Sequence, residues 1–139
     1  MVKLKGYVLD SYALLAFLEG ETGGELVKGL LETARAVNHS LFMCSVNLGE
    51  VLYIVERERG LPAAQETLAY IKELPLEIID AGQPLVLAAA HLKARTPIAY
   101  ADCFAAALAI FQEAILVTGD PEFNKIKSAE LKIEWLSEI

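Results

Sequence analysis

Four acidic side chains stand where this sequence passes from apolar, strand-like runs into helical ones. Asp10 closes Tyr7-Val8-Leu9-Asp10, and Asp120 closes Ile115-Leu116-Val117-Thr118-Gly119-Asp120. Glu50 lies in Ser45-Val46-Asn47-Leu48-Gly49-Glu50, just after an apolar run, and Asp102 follows the Thr96-Pro97 break. In an open parallel sheet the carboxyl ends of the strands form the functional rim. Carboxylates gathered there repel: a pair about 4 Å apart costs roughly 1 kcal/mol in water and about 4 kcal/mol at an effective dielectric of 20. Such crowding raises at least one carboxyl pKa unless a cation offsets it. The set therefore points to a divalent-metal site and to phosphate chemistry. Oxygen donors without cysteine or histidine favour Mg²⁺ or Mn²⁺ over zinc. A water held there is activated to attack a phosphodiester, and a second ion about 3.5–4 Å away stabilises the leaving oxygen.

Each acid taken alone also has a plain structural reading. Asp102 and Asp120 suit helix starts as caps, and Asp102 gains from the positive end of its helix. Glu50 alone reads as a solvated helix residue. Asp10 resists this treatment, because an acid directly after a buried apolar run is expected to gain little from capping. Glu19, Glu21, Glu56, Glu58, Glu66 and Glu130 read as ordinary surface charge. Cys44 and Cys103 form no Cys-x-x-Cys pair and are expected as buried free thiols. His39 and His91 are too isolated to suggest zinc.

The elements that must position these acids follow from the apolar pattern. Five β-rich runs fall at 5–9, 40–44, 76–80, 114–118 and 132–136. Gly20 to Gly24 breaks the chain, after which Leu26, Val27, Leu30, Leu31 and Ala34 recur at helical spacing. Ser45 is placed to cap a helix whose apolar face is Leu48, Val51, Leu52 and Val55. Gly60-Leu61-Pro62 ends that helix and opens another that runs to about Glu73. Pro84 suits the first turn of a helix reaching about Lys93, and Ala101 to Phe111 is Ala-rich, with side chains small enough for close approach to a sheet. Strands alternating with helices of these lengths imply right-handed crossovers and a parallel, three-layer α/β sheet. No repeat or linker interrupts the 139 residues, so one domain over 1–139 is expected.

Composition narrows the class. The hydrophobic fraction is 55% and the mean hydropathy +0.40, values that suit strands buried on both faces. No apolar run reaches the roughly 18 residues of a membrane span. Met1 to Lys5 leads straight into a strand-like run with no signal-peptide pattern, so the chain reads as cytoplasmic. The net charge of −7 argues against a general nucleic-acid binder. A local basic rim remains compatible with that sum, and its candidates are Arg57 with Arg59, Lys93 with Arg95, and Lys125 with Lys127.

Four segments in order resemble the motifs of PIN-domain ribonucleases. Val8-Leu9-Asp10-Ser11-Tyr12-Ala13-Leu14-Leu15-Ala16 is similar to the opening motif of that family, and Asn47-Leu48-Gly49-Glu50-Val51 to its second. Ala101-Asp102-Cys103-Phe104-Ala105-Ala106-Ala107-Leu108-Ala109 looks like its third, and Val117-Thr118-Gly119-Asp120-Pro121-Glu122-Phe123 like its last. The likeness covers nearly the whole chain, and the subgroup it most resembles is the VapC-like toxins of prokaryotic toxin–antitoxin pairs. The resemblance implies an α/β/α sandwich around a five-stranded parallel sheet of order 3-2-1-4-5. It also implies a Mg²⁺- or Mn²⁺-dependent endoribonuclease in which Asp10, Glu50, Asp102 and Asp120 bind metal. Ser11, Asn47 and Thr118 match supporting polar positions, and Glu122 is placed to share or replace the role of Asp120. A homodimer held inactive by a small antitoxin, with RNA as substrate, is the implied setting.

Other readings fit less well. A haloacid-dehalogenase-type phosphatase wants a second Asp two residues after the first, where this chain has Tyr12. A receiver-type signalling domain has Asp80 as a possible acceptor but lacks the paired acids near the first strand. The remaining alternative is a non-catalytic PIN-like module that holds RNA or a protein without cutting it.

Overall fold

The computed structural model describes residues 6–37 and 40–136. Lys5, His39 and the Met1–Lys5 reading lie outside them. The chain runs β1 (Gly6–Leu9), α1 (Ser11–Leu18), α2 (Gly24–Val37), β2 (Ser40–Cys44), α3 (Ser45–Arg59), α4 (Leu61–Lys72) and β3 (Glu77–Ile79). It continues through α5 (Gln83–Arg95), α6 (Tyr100–Phe111), β4 (Ile115–Thr118), a 3₁₀ turn (Pro121–Lys125) and β5 (Lys132–Trp135). All five strands pair in parallel in the order β3-β2-β1-β4-β5. The expected sheet order and three-layer architecture are therefore present.

The strands bury both faces, and the alternation is legible residue by residue. Val8 and Leu116 point into a core built with α5 and α6, where Phe104 and Leu108 meet them. Their neighbours Leu9 and Val117 point the other way, toward Ala13, Val27 and Leu31 of α1 and α2. Met43 joins Leu14, Val51, Val55 and Ile71 in a third cluster under α3 and α4. Helix α6 is enclosed along its length, with Ala105, Ala106, Ala107 and Ala109 all buried. Small side chains let it lie against the sheet, α3 and α5 at once.

Several boundaries differ from the sequence reading for local reasons. Cys44, not Ser45, is the N-cap of α3. The Ser45 hydroxyl instead accepts the Ala81 N–H at 3.0 Å, pinning the loop that leaves β3. Helix α5 runs on to Arg95 and stops at Thr96, which is extended (φ −140°, ψ 127°) as a residue before proline prefers. Helix α1 and the 3₁₀ turn are additional elements, and each is capped by an acid singled out above. Cys44 and Cys103 are buried free thiols, as expected.

Candidate functional site

Strands β1 and β4 are adjacent and in register, with Leu9 opposite Val117. Their carboxyl ends therefore deliver Asp10 and the Thr118–Asp120 segment to the same stretch of rim. Asp10 is 1% exposed. One carboxylate oxygen accepts the Ala13 N–H at 2.8 Å, capping α1, so the expectation that this acid gains little from capping is corrected. The other accepts the Thr118 hydroxyl at 2.5 Å. That hydroxyl in turn accepts the Asp120 N–H at 3.0 Å, so one threonine ties the first acid to the last.

Glu50 reaches the rim from the second turn of α3, where the Ser11 hydroxyl donates to its carboxylate at 2.5 Å. Asp102 comes from the first turn of α6. Beside it, the fully buried Asn47 donates from Nδ2 to the Ala101 carbonyl at 3.0 Å, tying α3 to α6. Its Oδ1 is buried and has no hydrogen-bond partner. An unpaired buried acceptor costs about 1–3 kcal/mol, which marks this corner as more than packing. Asp120 caps the 3₁₀ turn, its carboxylate accepting the Glu122 N–H at 2.9 Å. Glu122 itself is half-exposed and ion-paired to Lys125 at 2.7 Å.

The electrostatics join these acids. Burial pushes the Asp10 carboxyl up from 3.8 to about 7, against the lowering influence of the Thr118 and Ala13 hydrogen bonds. The charges of Asp102 and Asp120 push it further in the same direction. Asp102 is raised to about 6, first by burial and then by the charges of Asp120, Glu50 and Glu122. Asp10 therefore feels the charges of Asp102 and Asp120, and Asp102 those of Asp120 and Glu50. Among the described residues, no group of three or more His, Cys, Asp or Glu side chains is placed to hold a metal ion. The donors are nonetheless all hard oxygens, and Mg²⁺ is commonly held by one or two carboxylates plus several waters. The residues fit such a cation on those terms.

From sequence, Gly119 is expected to permit a tight turn before Asp120, and the structure gives it a different role. Gly119 carries no positive φ; what it supplies is space. A Cβ there would stand 2.3 Å from Cε1 of Tyr12, a side chain 39% exposed. The ring of Tyr12 thus lies on the backbone immediately before Asp120. A glycine wedged between Thr118 and Asp120 was the signal in the sequence.

The family model described as PIN domain matches residues 7–129. No curated relative matches the chain. Among solved structures, VapBC2 from Rickettsia felis bound to a promoter DNA fragment is 24% identical, with a TM-score of 0.73 over 95% of this chain and 99% of that one. DNA-bound VapBC from Salmonella typhimurium is 18% identical, with a TM-score of 0.75 over 97% and 100%. VapC20 of Mycobacterium tuberculosis, described as a sarcin-ricin-loop-cleaving toxin, is 16% identical, with a TM-score of 0.67 over 91% and 98%. At these identities the likeness is one of fold.

Proposed function

The chain belongs to the PIN-domain family, and from that premise we propose that it is an endoribonuclease dependent on Mg²⁺ or Mn²⁺. Asp10, Glu50, Asp102 and Asp120 hold the cation, and the chain serves as the toxin of a toxin–antitoxin pair. The observation that carries this reading is the buried Asp10 carboxyl, lifted to about 7 at a rim where Asp102 and Asp120 add to its repulsion. A fold keeps a carboxylate in so unfavourable a place when a positive partner belongs there. When bound, a divalent cation supplies Lewis-acid charge at the scissile phosphate and a water acidic enough to be deprotonated near neutral pH.

The protein's own part is orientation. Thr118 and the Ala13 N–H fix both oxygens of Asp10, and Ser11 fixes Glu50. Asn47 anchors the start of α6 next to Asp102. Structural relatives that are toxin–antitoxin complexes support a small antitoxin as partner, and a homodimer in the cytoplasm is part of the same proposal. No helix among the described residues is long and apolar enough to cross a membrane.

One observation favours the alternative of a non-catalytic RNA- or protein-binding module: no preformed group of three metal-binding side chains exists among the described residues. Incubating a mixed RNA pool with Mn²⁺ or Mg²⁺ separates the two. Metal-dependent cuts that vanish in Asp10→Asn, with folding intact, support the nuclease. Equal cutting by both proteins, or none under either metal, leaves the binding module.

A further inference from the structure

One basic pair picked out in the sequence, Lys125 with Lys127, comes together in space with Arg95 of a second, whose other member, Lys93, donates instead to the Ile98 carbonyl. Lys125 and Lys127, on the strap between β4 and β5, line a groove of about 550 Å³ with His91 and Arg95 of α5. Arg57 and Arg59 lie elsewhere: Arg57 sits over the Tyr53 ring, and Arg59 lines a separate hollow. The groove's floor is apolar, with Leu92, Ile110 and Ile126, and the ring of Phe111 at its edge is 53% exposed. Among the described residues, neither Arg95 nor Lys127 has a carboxylate within ion-pair distance. The Arg95 guanidinium rests 3.1 Å from His91 Nε2, and the Lys127 ammonium donates to the Asn124 carbonyl.

One groove residue is tied to the segment that carries Asp120. Lys125 holds Glu122, and the Glu122 charge is felt by Asp102. A separate hollow has the reverse sign, with Glu19, Glu21 and Glu58 around Tyr12. Within a chain carrying −7 overall, the groove sets three basic side chains, Arg95, Lys125 and Lys127, against one acid of its own lining, Glu130.

We propose that this groove binds a single-stranded segment of RNA, its phosphates on Arg95 and Lys127 and a base on Phe111, and so leads the strand toward the acidic rim. Cationic grooves with an exposed aromatic ring are how single strands are held without sequence readout. An acidic protein segment would use the two cations but not the exposed ring. The assignment relies on the nuclease reading only for the identity of the polyanion.

The test uses the full chain carrying Asp10→Asn, in EDTA, and the anisotropy of a fluorescein-labelled mixed-sequence RNA of about 12 nucleotides. Adding R95E and K127E is expected to weaken binding at least ~10-fold at about 50 mM salt and to lower the salt slope by about 1.4, roughly 0.7 for each phosphate no longer neutralised. Adding Phe111→Ala is expected to weaken binding by about 5-fold or more while leaving the slope unchanged, the behaviour of a stacked base. Melting curves confirm that each variant folds. Unchanged affinity and slope in R95E/K127E overturn the proposal. So does full displacement of the RNA by polyglutamate of equal charge, or loss of self-association in R95E/K127E with RNA binding intact. If the wild type cuts RNA and R95E/K127E binds normally, the groove fails and the nuclease stands. If nothing cuts but R95E/K127E loses binding, the groove stands and the nuclease fails.

Discussion

Replacing Asp10 with asparagine should make the metal-free protein more stable, and increasingly so as the pH rises. The folded carboxyl sits near 7 rather than 3.8, chiefly because it is buried. Between about pH 4 and 7 the folded chain therefore keeps a proton that the unfolded chain has released, and stability falls with rising pH across that window. Below the window both forms are protonated and above it both are ionised, so the slope vanishes at each end. The stretch from pH 5 to 7 corresponds to about 2–3 kcal/mol, at close to 1.4 kcal/mol per unit until the folded carboxyl itself begins to ionise. The asparagine variant has no such slope. Its margin over wild type should widen by about 2–3 kcal/mol between pH 5 and pH 8, roughly 10 °C in Tm for a chain of this size. Asp102, raised to about 6, titrates in both proteins, and its contribution largely cancels in the difference. Thermal unfolding in EDTA, followed by circular dichroism at pH 5, 6, 7 and 8, measures that margin. A margin that stays constant across this range would refute the burial argument and remove the main support for a cation site.

Metal should reverse the order: at about 100 times Kd, Mg²⁺ or Mn²⁺ adds about 2.7 kcal/mol to wild type and much less to Asp10→Asn, read from Tm against metal concentration. At a fixed, subsaturating metal concentration, cleavage should rise from pH 5.5 to 8 as Asp10 and Asp102 ionise through about 7 and about 6; a rate–pH profile that falls over this range contradicts the assignment. Thr118→Val removes the donor to Asp10 and the acceptor of the Asp120 N–H. It should cost about 1–3 kcal/mol in urea unfolding and move the Asp10 titration upward in carboxyl NMR. Two glycine replacements should diverge. In Gly24→Ala the new Cβ meets the Ala16 carbonyl oxygen at 2.5 Å, backbone that cannot yield, for a loss of about 1–3 kcal/mol. In Gly119→Ala it meets the side-chain ring of Tyr12 rather than backbone, so the loss should be smaller than for Gly24→Ala.

The sheet was readable because parallel strands buried on both faces leave dense apolar runs, and all five expected runs overlap the observed strands. Asp10 and Asp120 were readable as neighbours because each closes a strand, and parallel pairing of β1 with β4 sends those two ends to one rim. What individual side chains do there was less accessible. Ser45 looks like a cap in one dimension, but the Ala81 N–H that it holds lies 36 positions later in the chain. Asp10 caps α1 and also accepts from Thr118, 108 positions away, a double role that local sequence does not encode. The basic groove was visible only as pairs, since nothing along the chain says that α5 and the β4–β5 strap would face each other. Gly119 was read as a turn residue, while its actual effect is to seat the Tyr12 ring.

The rim draws on positions 10, 50, 102 and 120, and its innermost bond joins Asp10 to Thr118. A nascent chain that has emerged only as far as Ala99 carries just two of the four acids. Strand β4, which must insert beside the first strand made, has not yet left the ribosome at that point. Synthesis thus imposes an order in which the acidic corner is completed only once β4 is made. A product stalled before β4 lacks the Thr118 donor and two of the four acids, so the Asp10 corner cannot take its final form until that strand is free to insert.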